Sequence, residues 1–352
     1  MRTFLLVVAV LQFGFLLATF ALLVVRRQVD RANARRRNAE HARLTQIVLA
    51  ALEGGPLEPA LDHIDQSHFD AVAAVLYRHA RATGDPAWER LVRGARTTRW
   101  FGTLRDRYVH SRFWWRRLVG ARSLSIVATA DDLDIARALV ADKHPAVKLA
   151  AIAILDRAHD PGLIELVLNE AIASKRVVRG YMFDTLTGLG RALTPILSAR
   201  LTHPRSTFEL RDLIRLAAST TDPELLDEVL ALKDHADPEV RGGVARTLGS
   251  YPGPATRDAL LTLIGDDAWQ VRTRAAIALG AVGGAHAADP LSKALSDGNW
   301  WVRLRAAIAL RRLGEVGDAH LARARDGDDR FAAEMASYAM GLTEAAVQDY
   351  LA

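Results

Sequence analysis

The chain has 352 residues, half of them apolar, with a formal net charge of +5 and no cysteine. That length and apolar share suffice for a large core, roughly two or three ordinary domains. The missing cysteine excludes disulfides, thiolate zinc sites, iron–sulfur clusters and cysteine nucleophiles. Arginine carries nearly all the positive charge, lysine standing only at Lys143, Lys148, Lys175, Lys233 and Lys293.

Thr3 to Val25 is 23 residues without a charge. As a helix rising 1.5 Å per residue, such a stretch spans a hydrocarbon core of about 30 Å. A cleaved signal peptide is the competing reading, but its apolar stretch runs to only about 7–15 residues. This one is longer and runs straight into Arg26 and Arg27. An uncleaved transmembrane anchor over 1–25 is expected. Arg26, Arg27, Arg31, Arg35, Arg36 and Arg37 follow it against Asp30, with only Arg2 and the amino terminus before it. The positive-inside rule then puts the body in the cytoplasm. The same arginines either attract anionic headgroups or serve only as a topology signal. The Ala- and Arg-rich, Lys-poor composition points to a GC-rich bacterial genome, so the expectation is a single-pass protein of a bacterial inner membrane.

A basic juxtamembrane helix is predicted over 26–53: Asp30 to Leu52 lacks glycine and proline, and Gly54-Gly55-Pro56 ends it. Its apolar end, Ile47 to Leu52, is suited to dock on the body. An atypical helical capping region follows over 54–110, with a helix from Phe69 to Ala82 closed by Gly84-Asp85-Pro86.

From about residue 111 the chain repeats itself. Asp237-Pro238-Glu239-Val240-Arg241 leads to Ala245, Leu248 and Gly249; Asp267-Ala268-Trp269-Gln270-Val271-Arg272 leads to Ala275-Ala276, Leu279 and Gly280; Asn299-Trp300-Trp301-Val302-Arg303 leads to Ala306-Ala307 and Leu310. Weaker copies centre on Val147-Lys148, Val178-Arg179 and Phe208-Glu209, with Arg116-Arg117 and Ala332-Ala333 at the ends. Eight residues beyond the valine position stand Leu124, Leu155, Leu186, Leu216, Leu248, Leu279, Leu310 and Met340, at spacings of 30 to 32. Five residues beyond it the side chain is apolar too, until Ser337 in the last copy. Both offsets belong to one broad helical stripe. Each copy then breaks at Gly, Asp or Pro and resumes with a second apolar helix, as at Leu163–Ala171 and Arg257–Ile264. About eight hairpins of ~31 residues are expected over 111–352. One hairpin cannot bury its own apolar face, and stacking its neighbours does so. The fold class expected is therefore all-α: an α-solenoid of stacked antiparallel helix hairpins preceded by one transmembrane helix.

The first helix of a copy starts at Trp114, Pro145, Pro238, Trp269 or Trp300, just after Asp142, Asp237, Asp266, Asp267 or Asp297. Proline suits a first helical turn and an acidic residue caps it. The arginine column Arg117, Arg179, Arg241, Arg272 and Arg303 can reach the acidic column of an adjacent copy, a structural ladder rather than a binding site. The pattern Asp-x-x-Val-Arg-x-x-Ala-Ala-x-Ala-Leu-Gly at this period resembles the short HEAT-like repeat first named from phycobilin lyase subunits. The resemblance covers 111–352, is strongest over 237–314, and lapses at Phe208–Ser219 and in the last copy. It implies an α-solenoid and protein-partner binding; it does not imply lyase activity.

Asp62, His63, Asp65, His68 and Asp70 fall within nine residues, but at no spacing of a known metal motif; an Asp-rich helix cap explains them better. His144, His203 and His235 sit in turns before first helices. No His-Glu-x-x-His, phosphate loop or Gly-x-Ser-x-Gly is present, and Gly280 to Gly284 is a repeat turn. The chain is expected to be no enzyme and to need no cofactor or metal.

Two features are candidate partner contacts. The segment 90–122 carries ten arginines, among them Arg105, Arg107 and Arg112, against Asp106 alone, interleaved with Trp100, Phe101, Tyr108, Phe113, Trp114 and Trp115. Such a mixture suits nucleic acid, an anionic membrane or an acidic partner; a solvated arginine face over core aromatics is the bland alternative. Trp115 and Trp301 stand where other copies place Ala146, Val177, Glu239 and Gln270. A site that tolerates a polar side chain leaves a tryptophan exposed, as interface hot spots are, unless it packs on a neighbouring copy. Together these lead to a membrane-tethered scaffold. Second helices would line a groove holding a partner protein, such as a membrane enzyme of the glycosyltransferase kind. Lipid would be the other contact, and nucleic acid is disfavoured because the basic residues concentrate in one segment. A lyase- or chaperone-like protein acting on another protein, or a nucleic-acid binder, are the alternatives.

Overall fold

The computed structural model describes residues 20, 22, 25–28, 38–57, 61–80, 85–204 and 206–351. Among them there are helices and turns and no strand. The chain divides into two compact units, Met1–Ala158 and His159–Ala352.

In the first unit, helix α1 (38–52) buries Leu44, Val48, Ala51 and Leu52 along one face. The predicted docking of its apolar end is thus observed. Gly54 closes it with φ +107°, a conformation that suits glycine, and the Gly55 amide donates back to the Ala50 carbonyl at 2.8 Å. Helix α2 (Phe69–Arg78) begins where expected. Asp85 caps α3 (Pro86–Thr97) by accepting from the Ala87 and Trp88 amides at 2.9 and 3.0 Å. Helix α4 (Arg99–Thr103) runs into a π-turn at Leu104–Tyr108. Helices α5 (Trp114–Val127), α6 (Leu133–Val140) and α7 (Pro145–Ile152) then form the first repeat-like packing, α5 and α6 both against α7.

In the second unit the chain runs α8 (Pro161–Ala173), α9 (Arg176–Gly188), α10 (Thr194–Thr202), α11 (Thr207–Thr220), α12 (Leu226–Ala231), α13 (Pro238–Leu248), α14 (Pro254–Leu263), α15 (Trp269–Val282), α16 (Ala288–Ala294), α17 (Trp300–Arg312), α18 (Glu315–Arg325), α19 (Arg330–Met340) and α20 (Glu344–Leu351). First helices α11, α13, α15 and α17 pack on one another in succession, and α13, α15 and α17 are each backed by their second helix. The leucine column is core throughout: Leu124, Leu155, Leu186, Leu216, Leu248, Leu279 and Leu310 are all at most 1 % exposed. Each contributes roughly 1.5–3 kcal/mol by burial. In the last copy the stripe rotates. Ala336 and Ala339 take the buried places, Ser337 is exposed and Met340 half-buried.

Small residues set how close these helices come. A Cβ at Gly280 would lie 2.8 Å from the Ala309 Cβ of α17. Left-handed glycines turn first helices into second ones at Gly190, Gly284 and Gly314, and Thr221 stands at the matching turn with φ 48°. That is a strained conformation for a β-branched residue.

The expectation of a single-pass membrane protein does not hold. Among the described residues no helix is long and apolar enough to cross a membrane. The longest helices from α2 onward have 14 residues, about 21 Å at 1.5 Å per residue, short of a ~30 Å core. The span 3–25 lies, apart from residues 20, 22 and 25, outside the described residues. The inner-membrane location and the cytoplasmic orientation fall with it. Of the flanking arginines, Arg26 and Arg27 are exposed, while Arg31, Arg35, Arg36 and Arg37 lie outside the described residues.

Candidate interaction surface

The arginine column is committed wherever the repeat is regular. Arg117 donates to Asp142 from Nε and Nη2 at 2.6 and 3.0 Å. Arg241 reaches Asp266 at 2.7 and 2.8 Å, and Arg272 reaches Asp297 at 2.7 and 2.9 Å. In each case the aspartate lies in the next copy, 25 residues on. Its Oδ1 also accepts from the His144, Ala268 or Asn299 amide at 2.8 Å, at the start of the next first helix. The remaining guanidinium nitrogen, Nη1, donates back to the turn, as from Arg241 to the His235 carbonyl at 2.8 Å. One arginine thus ties a turn, a neighbouring turn and a helix cap. Hydrogen bonds from Arg241 hold the Asp266 carboxyl below its usual range, against the opposing effect of burial. Burial pushes Asp142 and Asp297 up, yet their arginines outweigh it and both end lowered. The paired arginines are raised correspondingly, each chiefly by its aspartate.

The column breaks at the degenerate copies. Arg179 donates to the Ser174 carbonyl at 3.0 Å, pairs with Asp212 at 3.5 Å and lies 4.6 Å from the centre of the Phe208 ring. In α11 the arginine place is held by Glu209, which turns inward and pairs with the buried Arg200. Arg200 also donates to Asn169 at 3.0 Å. The valine place passes to Leu210, and Phe208 swings out to 49 % exposure. Arg303 finds an aromatic neighbour, 4.9 Å from the Phe331 ring centre.

Tryptophans mark the starts of several first helices. Trp115 and Trp301 are 50 % and 49 % exposed, and Trp114, Trp269 and Trp300 are exposed too. Trp115 stacks on Phe113 at 4.5 Å, Trp114 on His144 at 4.0 Å, and Trp300 meets Trp301 edge-on at 4.7 Å. Trp269, Trp300, Trp301 and Phe331 lie at the starts of three consecutive first helices of the second unit.

The basic segment 90–122 divides. Trp100, Phe101 and Tyr108 are core. Arg105 pairs with the buried Asp132 at 3.6 Å, beside Arg96, which pairs with it as well. Arg107 and Arg112 are exposed, Arg112 lying over Phe113 at 4.6 Å. The aspartates of the Asp-rich run are engaged in one local cap and two long-range contacts. Asp62 accepts from the Arg99 amide at 2.6 Å, Asp65 from the Ser67 amide at 2.7 Å, and Asp70 pairs with Arg122 at 3.2 Å. Among the described residues no group of three or more metal-ligating side chains is placed to hold an ion. His235 caps its turn by accepting from the Asp237 amide at 3.0 Å.

Pattern reading missed a cleft in the second unit. It holds about 660 Å³ between α9 and α11, lined by Arg176, Arg179, Phe183, Asp184, Phe208 and Arg215 among others. Arg215 also lines a smaller one of about 240 Å³ with Arg211, Asp212, Glu239, Arg246 and Arg274. Both lie between first helices, not the second helices expected to line a groove. The available signal was the lapse of the repeat at Phe208–Ser219, which loosens the packing there.

With this geometry in hand, the relatives can be placed. Residues 194–280, 223–311 and 258–341 match the family described as HEAT repeats. Over those residues the chain is similar to HEAT repeats. No curated protein matches the chain. Among solved structures, E. coli YibA is 15 % identical, covering 74 % of this chain and 96 % of its own, with a TM-score of 0.38. Human deoxyhypusine hydroxylase in complex with glycerol is 16 % identical, covering 73 % and 97 %, with a TM-score of 0.29. Such similarity carries nothing about substrate or partner. The expectation that the chain is no enzyme is not upheld, since a lack of familiar catalytic motifs excludes no activity.

Proposed function

We propose that the chain is a protein-interaction scaffold whose partner is gripped at the tryptophan-bearing starts of its first helices. The exposure of Trp115 and Trp301 at sites where sister repeats place Ala146, Val177, Glu239 and Gln270 carries this reading. A large aromatic that the fold does not require costs solubility unless it is covered by something. Tryptophan is the side chain most enriched among residues that dominate interface energies. Trp269, Trp300, Trp301 and Phe331 make a set of candidates on one unit, and Trp115 with Arg107 and Arg112 a set on the other. HEAT repeats favour this use because stacked hairpins offer long side-by-side surfaces.

A photo-crosslinking residue at position 301, compared with one at the exposed position 134 in full-length protein, tests the reading. A discrete adduct at 301, lost in Trp300→Ala and absent at 134, is expected. No adduct at 301 or 115, or Trp301→Ala collapsing the fold in circular dichroism, would remove these residues from the surface.

A further inference from the structure

The arginines around the degenerate repeat differ from those of the ladder in having too few carboxylates. Six arginines line the two clefts that meet at Arg215, against Asp184, Asp212 and Glu239. Asp212 is shared between Arg179 and Arg215, Glu239 pairs with Arg274 at 3.0 Å, and Arg211 pairs with Asp237 outside the clefts. Arg176 and Arg246 make no side-chain hydrogen bond or ion pair among the described residues. Partial desolvation, then the like charge of Arg274, hold Arg246 below the ordinary arginine value; Glu239 offsets this in part and Arg215 adds to it. Guanidinium groups crowded this way repel one another until an anion arrives between them.

We infer that these clefts receive a carboxylate-rich segment of a partner protein, its Asp and Glu side chains bridging Arg176, Arg215 and Arg246. This rests on the scaffold reading and names the chemistry of one partner segment. A planar guanidinium fork matches a carboxylate with two parallel hydrogen bonds. The clefts lie between α9, α11, α13 and α15, so an extended peptide crossing those helices meets cation after cation. Asp184 and Glu239 set among the arginines suit a ligand with discrete, spaced charges better than a continuous phosphate backbone. Aromatic surface for stacking bases is scarce: Phe183 is buried, and Phe208 already carries Arg179 on a face.

The test is fluorescence anisotropy of a labelled decaglutamate peptide with the full-length protein at low salt, where exposed charges are least screened. The double variant Arg176→Glu/Arg246→Glu alters two side chains without partners in the fold, so circular dichroism should stay that of the parent. Binding is expected, weakened at least tenfold in the double variant and unchanged in Trp301→Ala. No binding of decaglutamate, or binding indifferent to the double variant, overturns the inference while leaving the crosslink at position 301 to judge the scaffold reading separately. Tighter binding of an oligothymidylate or of tripolyphosphate than of decaglutamate overturns it in favour of a phosphate ligand.

Discussion

The copies over Asp237–Arg312 and the copy at Thr207–Thr220 use the same residue types to opposite ends. In the regular copies Arg241 and Arg272 are consumed by the next aspartate, a turn carbonyl and a helix cap, while Arg303 keeps the turn carbonyl and lies over Phe331. In the degenerate copy Glu209 occupies the arginine place and turns inward to Arg200, Phe208 swings outward, and Arg211 and Arg215 face clefts. A repeat that gives up its ladder rung opens volume, while its own arginines pair elsewhere, Arg211 with Asp237 and Arg215 with Asp212. Structural and available arginines are therefore told apart by their partners, not by their number.

Four substitutions sharpen that contrast, in falling order of effect. Glu209→Ala leaves Arg200 buried with only Glu165 and Asn169 near it. Removing one member of a buried pair costs about 3 kcal/mol, read as a lower urea midpoint at unchanged slope. Asp266→Ala breaks a two-pronged pair and a helix cap together and should cost about 2 kcal/mol by the same titration. Gly280→Ala puts a methyl 2.8 Å from the Ala309 Cβ, and overpacking at that contact should cost about 1–2 kcal/mol. Thr221→Gly relieves a left-handed threonine and should stabilise by about 1 kcal/mol; a loss instead would mean that the threonine side chain holds the turn.

The ladder also sets a pH dependence. Asp142, Asp266 and Asp297 have lowered carboxyl pKa values in the fold. A depressed folded pKa contributes stability that is fully present above the unfolded value, near 3.9 for aspartate, and is lost as pH falls through the folded value. Stability should be flat from neutrality to about pH 5 and drop below about pH 4. Asp266→Asn should shallow that drop, as urea midpoints at several pH values would register.

Much of the fold was legible because a 31-residue period puts apolar side chains on the same stripe in every copy. Leu124 through Leu310 were assigned to the core from spacing alone, and all are buried. The Arg241–Asp266 and Arg272–Asp297 rungs followed from the same columns. The clefts were not legible, since they arise where the pattern fails, and a lapse in a pattern does not say which way Phe208 or Glu209 will turn. The two readings of 90–122, a partner surface or a solvated face over core aromatics, could not be separated from the sequence either. Charge counts along the chain do not reveal that Arg105 points at a buried aspartate, or that Trp100 is core while Trp115 is not.

The sharpest test sets one ladder arginine beside one cleft arginine. Arg272→Ala and Arg246→Ala would be compared for urea stability and for decaglutamate binding. Arg272→Ala should lose about 2 kcal/mol and keep peptide affinity in its folded fraction. Arg246→Ala should hold its stability within about 0.5 kcal/mol, as surface substitutions do, and bind several-fold more weakly. The reverse pattern, or equal effects of both on both readouts, would contradict the division between arginines that hold repeats together and arginines left for a partner.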